Sequence, residues 1–373
     1  MYNTSTAPEA IECQCPGSPS DTVSDMDWYW NPNSFPLLAA TSWDGSVTVW
    51  EVQTNKPLTL NPTPGPTASS DAEDPRPTQM QAIGKLQVNV GSPALCCCFL
   101  LGEGIVIGTL DKRLMLMKLP NGELSQLGQH EAAIKRVRLD TGNRCVVSIG
   151  LDSAIKWWNY ETGQLMHTIK LVSPPVDGDL KSSVLSVMCE NHRLYTYNLN
   201  DLRSNPTDVH MTSFNYPFIT VSLHPDLTSL ATGGVEGRVR IVNFQRSNSD
   251  FTFRCHRLTD AGQVTSTVST NVEENNIYCV NSVDFNPLYK TFATAGGDGY
   301  VLFWDKDNKA RTGLLKQKSS AITQVKFHPS GRLLAVATGY DWSLGITGRT
   351  QKNHTYQVSV FSLPDVCIKK KKP

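Results

Sequence analysis

Ile277–Lys306 reads IYCVNSVDFNPLYKTFATAGGDGYVLFWDK, and this stretch decides the fold. Val280–Phe285 and Thr291–Ala295 alternate in the manner of half-buried strands, and Asn286-Pro287 between them is a turn-forming pair. Gly296-Gly297-Asp298-Gly299 follows, the composition of a tight hairpin whose backbone must reach positive φ. A third strand, Tyr300–Trp304, then closes on Asp305. Such a unit cannot bury its own faces, so the stretch predicts copies of itself elsewhere in the chain.

The copies are present. Leu37–Val52 (LLAATSWDGSVTVWEV) carries Asp44-Gly45 and Trp50 at the same mutual offset as Asp298-Gly299 and Trp304. Arg144–Tyr160 keeps the offset with Asp152 and Trp158, Gly104–Leu119 with Asp111 and Met117, and Leu230–Phe244 with Glu236 and Val242. Weaker copies end near Tyr197 and Phe361. Roughly seven units at about 40-residue spacing, each strand–turn–strand–tight turn–strand, predict an all-β fold: a seven-bladed WD-repeat β-propeller. The repeat overrides the two or three domains that a chain of 373 residues would otherwise suggest. One propeller is expected over 10–368, behind a flexible 1–9 and ahead of a basic tail at 369–373.

The formal net charge is zero, so no global field argues for nucleic acid or an anionic membrane, and any such affinity must come from a local patch. No apolar run approaches the roughly 20 residues of a membrane span. The ten cysteines fall mostly within strands, where a thiol is a small buried hydrophobe. The chain opens on polar residues with no secretory leader, and reduced thiols in the cytoplasm or nucleus are the expectation. Neither Cys13-x-Cys15 nor Cys96–Cys98 has a second ligand pair at zinc spacing, so no metal and no cofactor is expected.

Ala10–Cys15 alternates without a blade of its own. It is placed to close the ring as the outer strand of the last blade, and a disordered leader is the alternative. Blade one is read at about Val23–Val52, blade two at about Ile83–Leu119, blade three at about His130–Tyr160, a short blade four at about Ser182–Leu199 and blade five at about Tyr216–Phe244. Pro174–Asp179 reads as a loop. Thr54–Gln79, dense in Pro, Thr, Ser and Asp, reads as a solvated insertion, with a Pro-rich docking motif as the alternative. A second insertion is read over Gln245–Asn276, and in blade seven a longer loop, Gly339–His354, replaces the hairpin turn. Lys369–Lys372 reads as a solvated tail, with a nuclear-localisation or polyanion patch as the alternative.

Blade three holds His130, Ser148, Asp152 and Trp158. A hydrolase reading would make a triad of the first three. Asp-turn and Trp recur in other blades whereas a catalytic set occurs once, so the four read as a structural hydrogen-bond network. No nucleophile elbow, P-loop or metal motif appears, and no enzymatic activity is expected.

Some segments are more specific than a generic propeller: Val235-Glu236-Gly237-Arg238-Val239, Phe251-Thr252-Phe253-Arg254-Cys255-His256-Arg257, Val280-Asn281, Phe292-Ala293-Thr294 and Phe303-Trp304-Asp305-Lys306-Asp307, in that order. This set resembles the family containing the WD-repeat messenger-RNA export factor of the nuclear pore (Gle-two type) and the Bub-type mitotic-checkpoint WD-repeat protein. Gly339-Tyr340-Asp341-Trp342-Ser343-Leu344-Gly345 is similar to a Ser-Tyr-Asp-Trp-Ser-Lys-Gly loop of the export member, with Gly339 for Ser and Leu344 for Lys. The resemblance implies a non-catalytic scaffold that binds a GLEBS segment, whose glutamates meet basic residues on one propeller face. For the export member it implies a phenylalanine-glycine nucleoporin carrying that segment, a messenger ribonucleoprotein, and a place at the nuclear pore, in the nucleus and in the cytoplasm. For the checkpoint member it implies spindle-checkpoint kinases. Within either complex the chain is expected as a monomer. Carried over position by position, Arg238 and Arg254 match the family's basic contacts, Phe253 and Trp304 would line the site, and Lys306 and Arg311 would edge it.

Composition points to the same region. Arg238, Arg240, Arg246, Arg254, His256, Arg257, Lys306, Lys309 and Arg311 flank one inter-blade junction of a chain with zero net charge. Arginine suits bidentate recognition of carboxylate or phosphate. An acidic protein segment is the first expectation for this patch, direct binding of RNA or another single strand a second, and ordinary solvated charge on strand edges the bland alternative.

Overall fold

The structure, a computed structural model, describes residues 9–60, 76–200, 206–211, 217–244, 249–258, 276–351 and 353–370. Seven four-stranded antiparallel sheets make the blades of a propeller, at 23–89, 94–129, 134–170, 175–211, 218–254 and 280–314, with the seventh built from 321–362 and Ile11–Gln14. Each blade is apolar on both faces, and one apolar cluster fills each junction between neighbours. Trp157 and Leu185 are buried between blades three and four, for example, and Phe285 and Trp304 between five and six. The cores therefore lie between sheets, and no blade is stable without both neighbours.

The ring closes through the expected strand. Ile11–Gln14 pairs with Gln357–Ser362 from Ile11↔Ser362 to Gln14↔Ser359. Glu12 is fixed there by Lys318 Nζ at 2.6 Å and Ser359 Oγ at 2.7 Å, and Cys15 is buried in the junction with blade one.

Several boundaries differ from the sequence reading. Met80–Asn89, read from Ile83 onward as the start of blade two, is the outer strand of blade one, paired from Ser46↔Asn89 to Thr54↔Met80. Much of the Thr54–Gln79 stretch (61–75) lies outside the described residues, but its ends are tied down. Asn55 Oδ1 accepts from the Thr78 and Gln79 N–H groups, and Arg76 donates to Glu9 O at 2.6 Å. Pro175–Lys181, read mostly as a loop, is the innermost strand of blade four. Its Asp177 and Asp179 look like loop chemistry but are buried, accepting from Arg136 and Arg138 and from the Val221 and Leu223 N–H groups. Phe251–Arg254, read as part of an insertion, is the outer strand of blade five. The Gly339–His354 loop contains a short helix, Gly345–Gln351. The 1–9 segment, read from the sequence as flexible, falls almost wholly outside the described residues. Of the tail, Lys369 and Lys370 are ion-paired with Asp365 and Asp307.

Around the axis, carboxylates of one blade accept backbone N–H groups of the next: Asp27 from Phe99 at 3.0 Å and Asp284 from Phe327 at 2.8 Å. Arg136 bridges Asp25 at 2.9 Å and Asp177 at 2.5 Å, tying blade three to blades one and four. Burial alone would push the Asp25 carboxyl up, but Arg136 and Arg138 hold it below its ordinary value. Among the described residues no helix is long and apolar enough to cross a membrane, and no group of His, Cys, Asp and Glu is placed to hold a metal.

Candidate functional site

His130, Ser148, Asp152 and Trp158 form one hydrogen-bonded chain. Trp158 Nε1 donates to Ser148 Oγ at 2.8 Å, Ser148 Oγ lies 2.7 Å from His130 Nε2, and His130 Nδ1 lies 3.0 Å from Asp152. One neutral tautomer satisfies every link, with the Ser148 hydroxyl donating to Nε2 and Nδ1–H donating to Asp152. Burial holds the imidazole below its ordinary value, in keeping with a neutral ring, although Asp152 opposes the shift. The serine oxygen is enclosed and already accepts the indole N–H, so the set ties a turn to its sheet and presents no nucleophile. Blade six repeats it: His256 Nδ1 lies 2.8 Å from Asp298, His256 Nε2 2.8 Å from Thr294 Oγ1, and Trp304 Nε1 donates to Thr294 at 2.9 Å. The sequence reading missed this second set, although Thr294, Asp298 and Trp304 keep the offsets of Ser148, Asp152 and Trp158.

The six residues assigned to partner binding fall in three places. Arg238 and Arg254 are directly opposite on the outer two strands of blade five. Arg238 is about one-third exposed and pairs with Glu236 at 3.2 Å, while Arg254 is exposed. Side chains alternate along a strand, so Phe253 points to the other face, where its ring lies 4.6 Å from Trp304. Trp304 is 3% exposed, inside the junction and not on an open wall. Arg311, opposite Trp304 in the adjoining strand, is half-buried; burial pulls its guanidinium below the ordinary value, and Nη1 has no hydrogen-bond partner among the described residues. Lys306 lies just past the strand that ends at Asp305, so it is at the opposite end of the blades from Arg238, and it pairs with Asp307 at 3.1 Å. Of the other basic residues, Arg257 is buried and bonded to the Glu236 and Gly237 carbonyls, Arg240 pairs with Asp250, and Lys309 sits over the Phe251 ring.

A cavity of about 720 Å³ opens on the axis at the end that carries the tight turns. Trp43, Leu110, Leu151 and Trp342 rim it, each more than two-fifths exposed, and Lys135 reaches it from inside. The turn residues Trp43, Leu110 and Leu151 immediately precede Asp44, Asp111 and Asp152, an apolar repeat the sequence reading did not use. An apolar mouth of this size on a face that also carries Arg238 and Arg254 suits an extended segment with both apolar and acidic side chains.

The WD domain, G-beta repeat family matches residues 12–51, 265–305 and 310–346. The last span begins on the outer strand of blade six and ends in blade seven, and the first likewise begins on the closing strand and ends in blade one. The chain is 28% identical to "mRNA export factor GLE2" of Chaetomium thermophilum, over 94% of this chain and 90% of that protein. It is 28% identical to "Protein Rae1" of Drosophila melanogaster, over 88% of this chain and 87% of that protein. It is 26% identical to "Mitotic checkpoint protein bub-3" of Caenorhabditis elegans, over 88% of each.

Proposed function

We propose that this WD-repeat propeller, similar along most of its length to mRNA export factors and to Bub-type checkpoint proteins, is a non-catalytic scaffold that binds a GLEBS-type segment and supports mRNA export at the nuclear pore. Its partners are a phenylalanine-glycine nucleoporin carrying that segment and a messenger ribonucleoprotein, and it works in the nucleus, at the nuclear envelope and in the cytoplasm. The observation that carries the reading is the cross-strand pair Arg238–Arg254. Two guanidinium groups side by side on one face suit bidentate recognition of neighbouring carboxylates. Arg311, half-buried and with Nη1 unpartnered among the described residues, lies towards the Lys306 end of blade six and would take a separate acceptor. The enclosed His–Ser–Asp set supports the absence of catalysis. A second reading, a checkpoint adaptor taking the same kind of segment from a kinase, is supported by the bub-3 similarity.

Calorimetric titration of a GLEBS-type peptide tests the assignment. Losing one charge of a desolvated pair costs about 2–5 kcal/mol, so Arg238→Ala and Arg254→Ala should each weaken binding by roughly 30-fold or more. Lys309→Ala, at the rim, should change it little. Equal affinities across wild type and all three variants would remove the arginine site. Absence of binding by wild type would remove the function. Affinity capture from nuclear extract separates the export reading, which recovers a nucleoporin, from the checkpoint reading, which recovers a kinase. Capture of RNA alone, with steep salt dependence, would favour direct strand binding over both.

A further inference from the structure

At the foot of blade one, the end opposite its Trp43–Gly45 tight turn, the loops between strands enclose a groove of about 310 Å³. One wall is the connection from Tyr29 to Leu37, with Trp30, Pro32, Phe35 and Pro36; the other, after Thr54, carries Pro57 and Leu58. Phe35 is 44% exposed. The apolar surface continues past Trp30, which also lines the lower mouth of the axis, to Leu101, 60% exposed. This track lies at the opposite end of the propeller from Arg238 and Arg254, and an apolar surface of this extent marks an interaction site.

The lining sets the chemistry of the occupant. Three of its residues are prolines, which lack an N–H, and the Pro36 carbonyl already accepts from the Val52 N–H. No strand can therefore add here by main-chain pairing. The free donors are side chains. Trp28 and Trp50 of the same blade donate their indole N–H groups to the Lys326 and Pro16 carbonyls. Trp30 meets His328 edge-on, 6.4 Å between ring centres, and its indole N–H donates to no described residue. The side chains of Asn33 and Ser34 likewise bond to no described residue. A helix arrives with its carbonyls already bonded to its own N–H groups. A polyproline II chain has no internal hydrogen bonds and presents unpaired carbonyls beside stiff rings that lose little entropy on packing. The lining also holds one cation, Lys56, and no carboxylate, so it favours a segment with an acidic residue.

We propose that this groove docks a proline-rich polyproline II segment of a partner protein. Its prolines pack against Trp30 and Phe35, a carbonyl between them accepts from Trp30 Nε1–H, and an acidic residue beside the prolines meets Lys56. The surface is additional to the acidic-segment site of blade five and does not depend on it.

The probes are fluorescein-labelled short peptides with proline at i and i+3, made with and without an Asp beside the second proline, and titrated against the full chain by fluorescence anisotropy. Wild type should bind them, the Asp-bearing ones more tightly. Phe35→Ala, at an exposed position, should leave the melting temperature unchanged and weaken binding by roughly tenfold or more. Trp30→Phe keeps a ring and removes the donor, and should weaken binding roughly fivefold. Lys56→Gln should abolish the preference for Asp. The GLEBS-type peptide should not displace the probe, and Phe35→Ala should not alter the affinity of that peptide. Failure of every probe to bind, or equal binding by wild type, Phe35→Ala and Trp30→Phe, overturns the groove and leaves the blade-five reading standing. Displacement by the GLEBS-type peptide would put the probe on the turn face and overturn it as well. Binding that appears only after 61–75 is replaced by a Gly-Ser linker of equal length would give the groove to this chain's own proline-rich stretch and overturn an external partner.

Discussion

Replacing Asp152 with alanine isolates the strut of blade three. Its side chain is 6% exposed and accepts from His130 Nδ1 at 3.0 Å, from Glu131 N–H at 2.9 Å and from Ala154 N–H at 3.1 Å. Glu131 is exposed, and water can replace the carboxylate there. His130 and Ala154 are fully buried, so their two donors are left without an acceptor. At about 1–3 kcal/mol for each unsatisfied buried donor, less where water enters the space left behind, the loss is about 2–4 kcal/mol. The entropy of unfolding grows with chain length, so for a chain of 373 residues this corresponds to a fall in melting temperature of only about 3–5 °C. Urea titration followed by tryptophan fluorescence should show an earlier midpoint, because Trp158 hangs on the same chain of bonds. Asp152→Asn keeps an oxygen to accept from Nδ1–H and should lose roughly half as much. An alanine variant that melts with wild type would refute the strut. Hydrolytic turnover lost in a stably folded Asp152→Ala would refute its structural role.

Two further outcomes follow from burial and closure. Deleting residues 1–16 removes the outer strand of blade seven together with the Glu12–Lys318 and Glu12–Ser359 contacts, so the melting temperature should fall well beyond the effect of a surface change; an unaltered melt would argue against closure by this strand. Burial drives His328 down to about 3 and also lowers His130 and His224, while an unfolded histidine titrates near about 6.5. The unfolded chain therefore binds more protons below about pH 6.5, and stability, complete above that value, should decline as pH falls towards about 3; a urea midpoint that is flat or rises between about pH 7 and 5, where carboxylates do not yet titrate, would contradict the assignment.

The fold was legible because the information was repeated. Gly45 and Gly299 sit at φ +81° and +79°, the left-handed position that a type I turn followed by a bulge requires, and the sequence marks both with glycine. The same position in other blades is taken by Lys112, Ser153, His192 and Trp342, all at positive φ. A fold held from both sides tolerates that strain, so glycine alone undercounts the turns. Outer strands were the least legible, since they pair on one edge only and need little alternation; Phe251–Arg254 is one of them. Asp177 and Asp179 mislead for the opposite reason, being polar residues deep in the ring whose partners, Arg136 and Arg138, arrive from another blade. The candidate site divides along the same line. Cross-strand placement of Arg238 and Arg254 depends on local pairing, and their residue type and order in the chain already marked them for recognition. Trp304 was misplaced because an indole suits an interface as well as a strut, and only its offset from Thr294 and Asp298 tells the two apart. The orientation of Lys135 was beyond reach of sequence, because a bulge on the innermost strand is set by how seven sheets crowd one axis. What a linear reading misses in this architecture is therefore concentrated at the channel mouth, whose lining is assembled from stretches as far apart in the chain as Asp21–Ser24 and Tyr340–Trp342.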